Sequence, residues 1–379
     1  MSDQLSQRYN YPAQFGENTE QLMLQIKAML LEGKYILTSE VQRFEQTFAD
    51  YIGCSFARGT NSGTDAITIA LLALGLKSDD EVITQANTFH ATVSAIQMAG
   101  AKPVLVDVDE QSFLMDVRQV PSAITPRTRV IMPVHLFGKP TPMVDLMALA
   151  GAHHAAIVED AAQAHGATIH SKHVGGFGVA GCFSFHPSKN LAAAGDAGAI
   201  VTNDSELALR IEYLRALGQI EQGVHVAVGL NSKLDAIQAQ ILSWKIAYLD
   251  AWNRARAQVA SWYREALSKL PVVFQRTDDG EQHVYHLLQI RTQYRDRLVS
   301  YLQSRGVDAV IRYPVPIHLQ PAFAKWGWRR GQFPVAERLA TELMCLPIRP
   351  DMRRAEVEAV ALCVANFFAH AYAAARRAG

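Results

Sequence analysis

Two residues whose types suggest covalent chemistry stand next to strand-like segments. Asp160 ends the apolar run of AIVEDAAQAHG and should lie at the carboxyl end of a buried strand, where open α/β sheets assemble ligand sites. Lys189 stands in a turn between the apolar strands of GCFSFHPSKNLAAAGDAGAIVTND. A desolvated carboxylate favours a cationic partner, and a desolvated lysine loses pKa and becomes an amine nucleophile. Taken alone, Asp160 could equally be a helix cap and Lys189 a solvated surface charge.

A helix N-terminus offers a place for an anion. In GTNSGTDAITIALLALG, residues 59–75, small hydrogen-bonding residues precede apolar positions with helical spacing. Gly63 and Thr64 therefore fall where free backbone N–H groups and a partial positive charge favour phosphate, and glycine has no Cβ to hold the anion away. Such residues are commonly only helix caps. The sequence carries neither a P-loop nor a GxGxxG pattern that would compete for this role.

Further polar and aromatic side chains can converge on the same ligand. Strand alternation in GCFSF buries the two phenylalanines and turns Ser184 toward the side of the lysine. Gln163 and His165 follow the acidic residue closely and reach the same ligand if the segment leaves its strand as a loop or short helix. Phe89 or His90, in TQANTFHAT, offers a ring for stacking.

Together these groups describe one cofactor. A helix N-terminus and Ser184 suit a phosphate, Asp160 suits a protonated ring nitrogen, and Lys189 suits an imine. Pyridoxal 5′-phosphate has all three features, because its pyridinium needs a carboxylate partner to act as an electron sink. No metal site is expected, since the four cysteines are too far apart in sequence for a zinc pattern.

Alternating strand-like and helix-like runs must position these residues. Near-continuous apolar strands such as VLVDV and AAIVED imply burial on both faces, as parallel sheets require, so the first part of the chain predicts a doubly wound, mostly parallel α/β sheet. The strand-like segments are Glu81–Thr84, Pro103–Val108, Val130–Val134, Ala155–Glu159, Gly181–Phe185 and Ala199–Thr202.

The second part of the chain has a different pattern. One long helix is expected between about Ser232 and Leu270, followed by a smaller α+β domain. We therefore expect a large domain over residues 1–245 and a small C-terminal domain over residues 246–379.

Composition and charge exclude several classes of protein. The 379 residues include 36 Lys plus Arg and 36 Asp plus Glu, so the balanced charge gives no electrostatic case for binding nucleic acid or an anionic membrane. No apolar run is long enough to span a bilayer, and the N-terminus does not resemble a signal peptide. A cytoplasmic protein with free thiols is the expectation.

The sequence resembles the DegT/DnrJ/EryC1/StrS family of pyridoxal-phosphate sugar aminotransferases over nearly its whole length. The resemblance is carried by YILTSEVQRFEQTFADYIG (residues 35–53), NSGTDA, DEVITQANTF, AGAKPVLVDVD, EDAAQAHGA, FSFHPSKNLAAAGDAGAIVTND, GLNSKLDAIQAQIL and FPVAERLATELMCLPIRP (residues 333–350). It implies a fold-type-I aminotransferase in which Lys189 carries the cofactor as an imine and Asp160 pairs with its ring nitrogen. It also implies that Gln163 lies near the cofactor hydroxyl and that Ser184, with the backbone of Gly63 and Thr64, holds the phosphate.

The resemblance also implies a shared active site. Asn231, in GLNSKLD, is similar to an asparagine that reaches across a dimer interface to the neighbour's cofactor phosphate. A homodimer is therefore expected.

The substrate-facing blocks are closest to the branch acting on the 3-keto position of nucleotide-linked 6-deoxyhexoses. The matching block YPVPIHLQ contains Tyr313 and His318, which with His165 are candidate substrate contacts, although the first two would also suit an ordinary turn. Two departures are Lys233, where arginine is expected, and His186, where tyrosine is common. Lysine lacks the planar fork of arginine, so the contact to the substrate phosphates can differ.

The expected reaction converts a keto group of a nucleotide-activated sugar, dTDP-linked and 3-keto-6-deoxy, to an amine, with glutamate or glutamine as the donor. A lysine at position 189, rather than the histidine of relatives that remove a hydroxyl, favours transamination. Two alternatives stay open. One is an aminotransferase for a keto-cyclitol antibiotic precursor, and the other is a regulator that binds pyridoxal phosphate without catalysis.

Overall fold

The computed structural model describes residues 5–15 and 19–378, with the side chains of residues 371–378 excepted. The strands are β1 (Phe56–Thr60), β2 (Glu81–Gln85), β3 (Lys102–Val106), β4 (Thr128–Ile131), β5 (Ala156–Asp160), β6 (Thr168–Ile169), β7 (Lys172–His173), β8 (Ala180–Ser184), β9 (Gly198–Thr202), β10 (Gln219–Glu221), β11 (Val224–His225), β12 (Val273–Phe274), β13 (Glu281–Gln282), β14 (Leu288–Arg291) and β15 (Leu343–Leu346). The α-helices are α1 (Thr19–Glu32), α2 (Ser39–Ile52), α3 (Gly63–Ala73), α4 (His90–Met98), α5 (Val120–Ala123), α6 (Met143–Ala152), α7 (Ser205–Leu214), α8 (Ala236–Lys245), α9 (Leu249–Ala266), α10 (Arg295–Gln303), α11 (Pro334–Glu342) and α12 (Arg354–Ala378). None of these helices is both long and apolar enough to cross a bilayer.

A seven-stranded sheet with the order β1-β9-β8-β5-β4-β2-β3 forms the centre of the molecule. β9 runs antiparallel to both of its neighbours, and the pairs joining β8, β5, β4, β2 and β3 are parallel. The carboxyl ends of those strands therefore meet at one edge. The predicted mostly parallel sheet is confirmed.

Both faces of this sheet are covered. Val130 and Val158 pack in a cluster with α3, α4 and α7, whereas the adjacent Ile131 and Ile157 pack in a second cluster with α6. Successive strand residues point to opposite faces, so the continuous apolar runs reflect burial on both sides. The doubly wound arrangement follows from these runs.

Aromatic packing fixes the strand that leads to the lysine turn. Phe44 and Phe48 of α2 make edge-to-face contacts with Phe185 and Phe183, at centroid distances of 5.4 and 4.9 Å. All four rings are fully buried. Because alternation sends Ser184 to the opposite face, this packing also holds that hydroxyl toward the cavity described below.

The C-terminal part contains a smaller antiparallel sheet, β12-β14-β15, whose apolar side packs with α9, α10 and α12. The prediction of one long helix from about Ser232 to Leu270 is wrong: α8 and α9 are separate and joined by a 3-10 turn, Ile246–Tyr248. The turn contains neither proline nor glycine, so the sequence gives no sign of the break. The boundary between a large domain over residues 1–245 and a small domain over residues 246–379 stays our proposal.

The described N-terminal residues lie against the C-terminal part of the chain. The Ser6 N–H donates to Gly306 O at 3.2 Å, and the Asp308 N–H donates to Ser6 O at 2.9 Å. This anchoring brings Tyr9 and Tyr11 to the mouth of the cavity at the edge of the central sheet.

Candidate active site

A cavity of about 390 Å³ lies at the carboxyl ends of β5 and β8. Eight of the predicted site residues line it: Gly63, Thr64, Phe89, Asp160, Gln163, Ser184, Lys189 and Tyr313. The fold therefore brings together residues that are up to 250 positions apart, from Gly63 to Tyr313.

Asp160 is the buried acid of this cavity. Its Oδ2 accepts a hydrogen bond from Thr92 Oγ1 at 2.8 Å, and its Oδ1 accepts one from the Ala162 N–H at 3.2 Å. Burial raises the pKa of Asp160, and these bonds and the nearby charge of Lys189 oppose the rise. Within the described residues, no cationic nitrogen lies within 4.0 Å of the Asp160 carboxylate oxygens, the distance that defines an ion pair. A cationic group of a ligand bound in the cavity would therefore be a favourable partner for this carboxylate.

Lys189 faces the same cavity from the turn after β8. Its backbone N–H donates to His186 O at 2.8 Å, which closes the turn. Burial lowers the pKa of Lys189 to about 8; the carboxylate of Asp160 opposes this shift, and the charge of Arg312 adds to it. A substantial fraction of the amine is therefore neutral near pH 8, as a nucleophile requires.

The start of α3 and the end of β8 form a cradle. Ser62 caps the helix by accepting a hydrogen bond from the Asp65 N–H at 3.1 Å, and Gly63 is the first helical residue. A Cβ at Gly63 would lie 2.5 Å from the Cβ of Ser184, so only glycine allows the helix to start this close to the strand. The helix N-terminus and the Ser184 hydroxyl consequently reach the same part of the cavity, where a phosphate would fit.

Gln163 connects two other segments of the chain at the cavity wall. Gln163 Oε1 accepts a hydrogen bond from the Phe137 N–H at 2.8 Å, and its Nε2 donates to Tyr313 Oη at 2.9 Å. Because Tyr313 accepts this bond, its own hydroxyl proton is free to be donated into the cavity. Burial raises the pKa of Tyr313, so the phenol stays protonated at neutral pH. Phe89 is 45% exposed and lies 5.8 Å from the Tyr313 ring, between centroids, on the same wall.

Two predicted substrate contacts lie outside the cavity. His165 is fully buried 5.5 Å from the rings of Phe183 and Phe185, and burial, with the charge of Lys189 adding to it, lowers its pKa to about 3. His318 is also buried, and its Nε2 is 2.9 Å from Glu337 Oε1. The apolar packing of the first and the carboxylate partner of the second hold these rings away from a substrate, so we withdraw both as substrate contacts.

Asn231 also lies outside the cavity, on an exposed loop. Its Oδ1 accepts a hydrogen bond from Lys233 Nζ, and its backbone carbonyl accepts one from Asn61 Nδ2 at 3.2 Å. The second bond ties this loop to the segment that precedes α3.

Sequence reasoning missed several residues at the open end of the cavity. Tyr9 and Tyr11 come from the N-terminal segment, and Arg312 directly precedes the predicted Tyr313. The Arg312 Nη2 is 3.5 Å from Tyr9 Oη. The sequence feature that could indicate Arg312 is its position next to Tyr313, a predicted substrate contact. No sequence feature indicates the two N-terminal tyrosines.

The residues present fit pyridoxal phosphate. The cradle at Gly63 suits the phosphate, the incompletely paired carboxyl of Asp160 suits a ring nitrogen that carries a proton, and the Lys189 amine faces both. No cluster of three or more metal-ligating side chains occurs among the described residues. A lysine, a buried acid and a phosphate cradle at the end of a mostly parallel sheet define the class of pyridoxal-phosphate-dependent aminotransferases.

Comparison with known proteins agrees with this class. The model of the DegT/DnrJ/EryC1/StrS aminotransferase family matches residues 17–365. The chain belongs to this family. It is a sugar aminotransferase that uses pyridoxal phosphate.

Several relatives are similar over almost their whole length. The chain is 42% identical to the pleiotropic regulatory protein of Geobacillus stearothermophilus, covering 93% of this chain and 97% of that protein. It is 43% identical to dTDP-3-amino-3,4,6-trideoxy-alpha-D-glucose transaminase of Streptomyces venezuelae, covering 87% of each. It is 40% identical to UDP-N-acetyl-3-dehydro-alpha-D-glucosamine 3-aminotransferase of Acidithiobacillus ferrooxidans, covering 93% and 95%.

A solved structure shares the fold closely. S. venezuelae DesV in complex with a ketimine intermediate superposes with a TM-score of 0.93 at 40% identity, over 96% of this chain and 98% of that one.

Proposed function

We propose that this enzyme transfers the amino group of glutamate or glutamine to the C3 keto group of a dTDP-linked 6-deoxy sugar. The observation that carries the transamination is the placement of Lys189 and Asp160 around one cavity with a phosphate cradle between α3 and β8. The choice of sugar is supported by relatives named as dTDP- and UDP-sugar 3-aminotransferases.

The residues that line the cavity have separate roles in the proposed reaction. Pyridoxal phosphate supplies an electron sink for a carbanion at the substrate carbon. Lys189 would hold the cofactor and would also carry a proton at that carbon, since a pKa of about 8 lets its amine accept and return a proton near neutral pH. Asp160 keeps the cofactor nitrogen protonated, and Thr92 and the Ala162 N–H hold its carboxylate in place. Gln163 orients the Tyr313 hydroxyl toward the ligand.

We further propose a homodimer in which Asn231 reaches the partner's cofactor phosphate. Near this loop the chain exposes apolar residues that water does not favour: Ile220 is 56%, Val226 54% and Val228 95% exposed. An exposed apolar surface of this kind is typical of an interface.

Mixing two inactive variants tests this arrangement. In a 1:1 mixture of Lys189→Ala and Asn231→Ala chains, each heterodimer has one site with both native residues. Activity should recover to about one quarter of the native value, because half the dimers are mixed and each has one intact site. Recovery confined to the sum of the separate variants would contradict a shared site.

The substrate proposal has its own experiment. The purified enzyme is first treated with L-glutamate until the absorbance of the bound cofactor disappears, and candidate ketones are then added one at a time. We expect a dTDP-linked 3-keto-6-deoxy sugar to restore the absorbance fastest. UDP- and GDP-linked keto sugars are the matched controls, and a faster response to scyllo-inosose would instead support a cyclitol substrate.

A second candidate function is regulation without turnover. It is favoured by one observation, the name of the pleiotropic regulatory protein that is 42% identical. Single-turnover measurement with L-glutamate separates the two, because a regulator of this kind would bind the cofactor and leave its absorbance unchanged.

A further inference from the structure

Asn253 is a polar residue on the buried side of α9. Its side chain is 1% exposed, and Leu249, Ala260 and Tyr263 are buried on the same side of the helix. A buried amide costs free energy unless its hydrogen bonds are made, whereas a leucine of similar volume carries no such cost. An amide at this position therefore points to a specific use of its hydrogen bonds.

The acid and the lysine of the cavity belong to different segments of the chain. Lys189 lies in residues 186–195, the lysine loop, which follows β8. Asp160 ends β5 and is followed by residues 161–167, the acid loop. The two strands are neighbours in the sheet, but within the described residues no hydrogen bond joins the two loops directly. Beyond the strand ends, their relative position depends on contacts with other elements.

Asn253 connects the two loops. Its Oδ1 accepts a hydrogen bond from Asn190 Nδ2 at 2.9 Å, and Asn190 directly follows Lys189. Its Nδ2 donates to the backbone carbonyl of His165, in the acid loop, at 2.8 Å. In the part of the chain that the structure describes, no other side chain hydrogen-bonds to both loops. One planar amide on a helix therefore holds the lysine loop and the acid loop at a set separation.

The surroundings of this amide fit the contact closely. Gly166, in the acid loop, has a left-handed φ of 84°, and a Cβ there would lie 2.6 Å from Asn253 Nδ2 and 2.5 Å from Tyr51 Oη. Only glycine lets the loop approach the helix this closely. Asn190 Nδ2 donates a second hydrogen bond to the Val284 carbonyl at 2.8 Å, so both of its protons are used and the orientation of its amide is fixed.

The preceding helix holds the lysine loop by different contacts. Gln238 Oε1 accepts a hydrogen bond from the Ala194 N–H at 2.8 Å, and Lys245 Nζ donates to the Ala192 carbonyl at 2.9 Å. Both side chains belong to α8, and neither is hydrogen-bonded to the acid loop. The α8 contacts fix the lysine loop to the body of the protein, whereas Asn253 relates it to the acid loop.

We propose that Asn253 is a positioning residue for the reaction, because its amide fixes the Lys189 amine relative to the Asp160 carboxylate. This inference rests on the proposed function for the roles of these two groups. A ligand that is joined to Lys189 and paired with Asp160 can meet both only if the two loops keep one relative position. A displacement of about 1 Å at a reacting group can cost about 100-fold in rate.

Hydrogen exchange of the full-length enzyme tests the bridge without using activity. In Asn253→Leu, the hydrogen-bonded amides of both loops should exchange about fivefold faster or more. In Asn190→Ala, only the lysine loop should exchange faster, because the bond from Asn253 to the His165 carbonyl remains. Native exchange in either loop of Asn253→Leu would overturn the proposal. If Asn253→Leu does not fold, native exchange in the lysine loop of Asn190→Ala would overturn it.

A buried residue elsewhere on the same helix provides the matched control. Val259 is 1% exposed in α9 and packs in the C-terminal core, away from both loops. Val259→Ala should lower the melting temperature through the cavity that it leaves, while exchange in both loops stays native. This variant separates a general loss of stability from the loss of the bridge.

Kinetics shows whether the bridge matters to the reaction. Asn253→Leu should lower kcat by about 10- to 100-fold and by a similar factor in both half-reactions, because each requires Lys189 and Asp160. The KM values for L-glutamate and the keto sugar should stay within about threefold of native. Asn190→Ala should also lower kcat, and Val259→Ala should not.

Two kinetic results would overturn the proposal. One is a native kcat in Asn253→Leu or Asn190→Ala although the lysine loop exchanges faster. The other is an equal fall of kcat in Val259→Ala, which would assign the effect to stability. A native enzyme that responds to no amino acid would instead contradict the proposed function, and the exchange measurement would still decide whether the bridge holds the two loops.

Discussion

The two ends of the cavity are built differently. At the closed end, Asp160 and Ser184 end strands β5 and β8, and Gly63 begins helix α3; close packing or short hydrogen bonds fix these residues. At the open end, Tyr9 and Arg312 come from segments about 300 residues apart and meet at 3.5 Å. We infer that the sheet fixes the residues that would hold the cofactor, and we propose that segments outside the sheet contribute to substrate recognition. Changes at the closed end should therefore impair every substrate, and changes at the open end should discriminate among them.

The largest effect is expected for Lys189→Ala. Removing the amine removes both the attachment of the cofactor and the proton carrier, so the absorbance at about 400–430 nm and all turnover should be lost. Absorbance spectra and assays with each donor check this. Lys77→Ala, at an exposed position, is the control and should behave as the native protein. A Lys189→Ala enzyme with normal activity would refute the role of this residue.

Asp160→Asn should have the next largest effect. The amide keeps the shape but cannot stabilise a protonated ring nitrogen, so cofactor should be retained while the proton-transfer step slows by about 10²- to 10⁴-fold with every donor. Rapid-mixing measurement of the first half-reaction checks the rate, and the spectrum checks cofactor content. Rates close to native would show that the proton-transfer step does not depend on the negative charge of Asp160.

Gly63→Ala should weaken the cofactor site more modestly. The new Cβ would lie 2.5 Å from the Ser184 Cβ, so the start of α3 must shift away from the strand. We expect an affinity for pyridoxal phosphate about tenfold lower or more, measured by titrating apoenzyme. Gly151→Ala is the matched control, because that helical glycine has no atom within 4 Å of the added Cβ. Equal affinities for the two variants would argue against a phosphate at this position.

His165→Leu is expected to have the smallest effect on catalysis. The ring is fully buried behind the cavity and packs on Phe183 and Phe185, so an apolar side chain of similar volume should leave kcat/KM for donor and sugar within about threefold of native. Steady-state kinetics and a thermal melt check this. A selective rise in KM for the sugar would restore His165 as a substrate contact.

Much of the closed end could be predicted from sequence because its signals are local. The apolar run before Asp160 gives a strand buried on both faces, and that strand ends at this residue as β5. The alternation around Ser184 likewise predicts its side of β8, with Phe183 and Phe185 fully buried on the other. Strand periodicity and the residue types at a helix start depend only on neighbouring positions in the sequence. Strands and helix starts can therefore be predicted without knowledge of tertiary contacts.

The open end could not be predicted in the same way. Arg312 lines the cavity beside Tyr313, whose backbone is left-handed, and no pattern in the neighbouring side chains predicts either feature. Tyr9 reaches the cavity because Ser6 is anchored to Gly306, near the other end of the chain. The block YPVPIHLQ predicts that His318 is a substrate contact. In the structure the His318 side chain instead contacts the carboxylate of Glu337, outside the cavity.

The most direct test of the central claim is to locate the cofactor chemically. Treating the yellow enzyme with borohydride fixes an imine as a stable amine, and digestion followed by mass spectrometry finds the modified residue. We expect the pyridoxyl group on Lys189 alone. A colourless protein, or a label on another lysine, would contradict the assignment of Lys189 and Asp160 as the centre of this site.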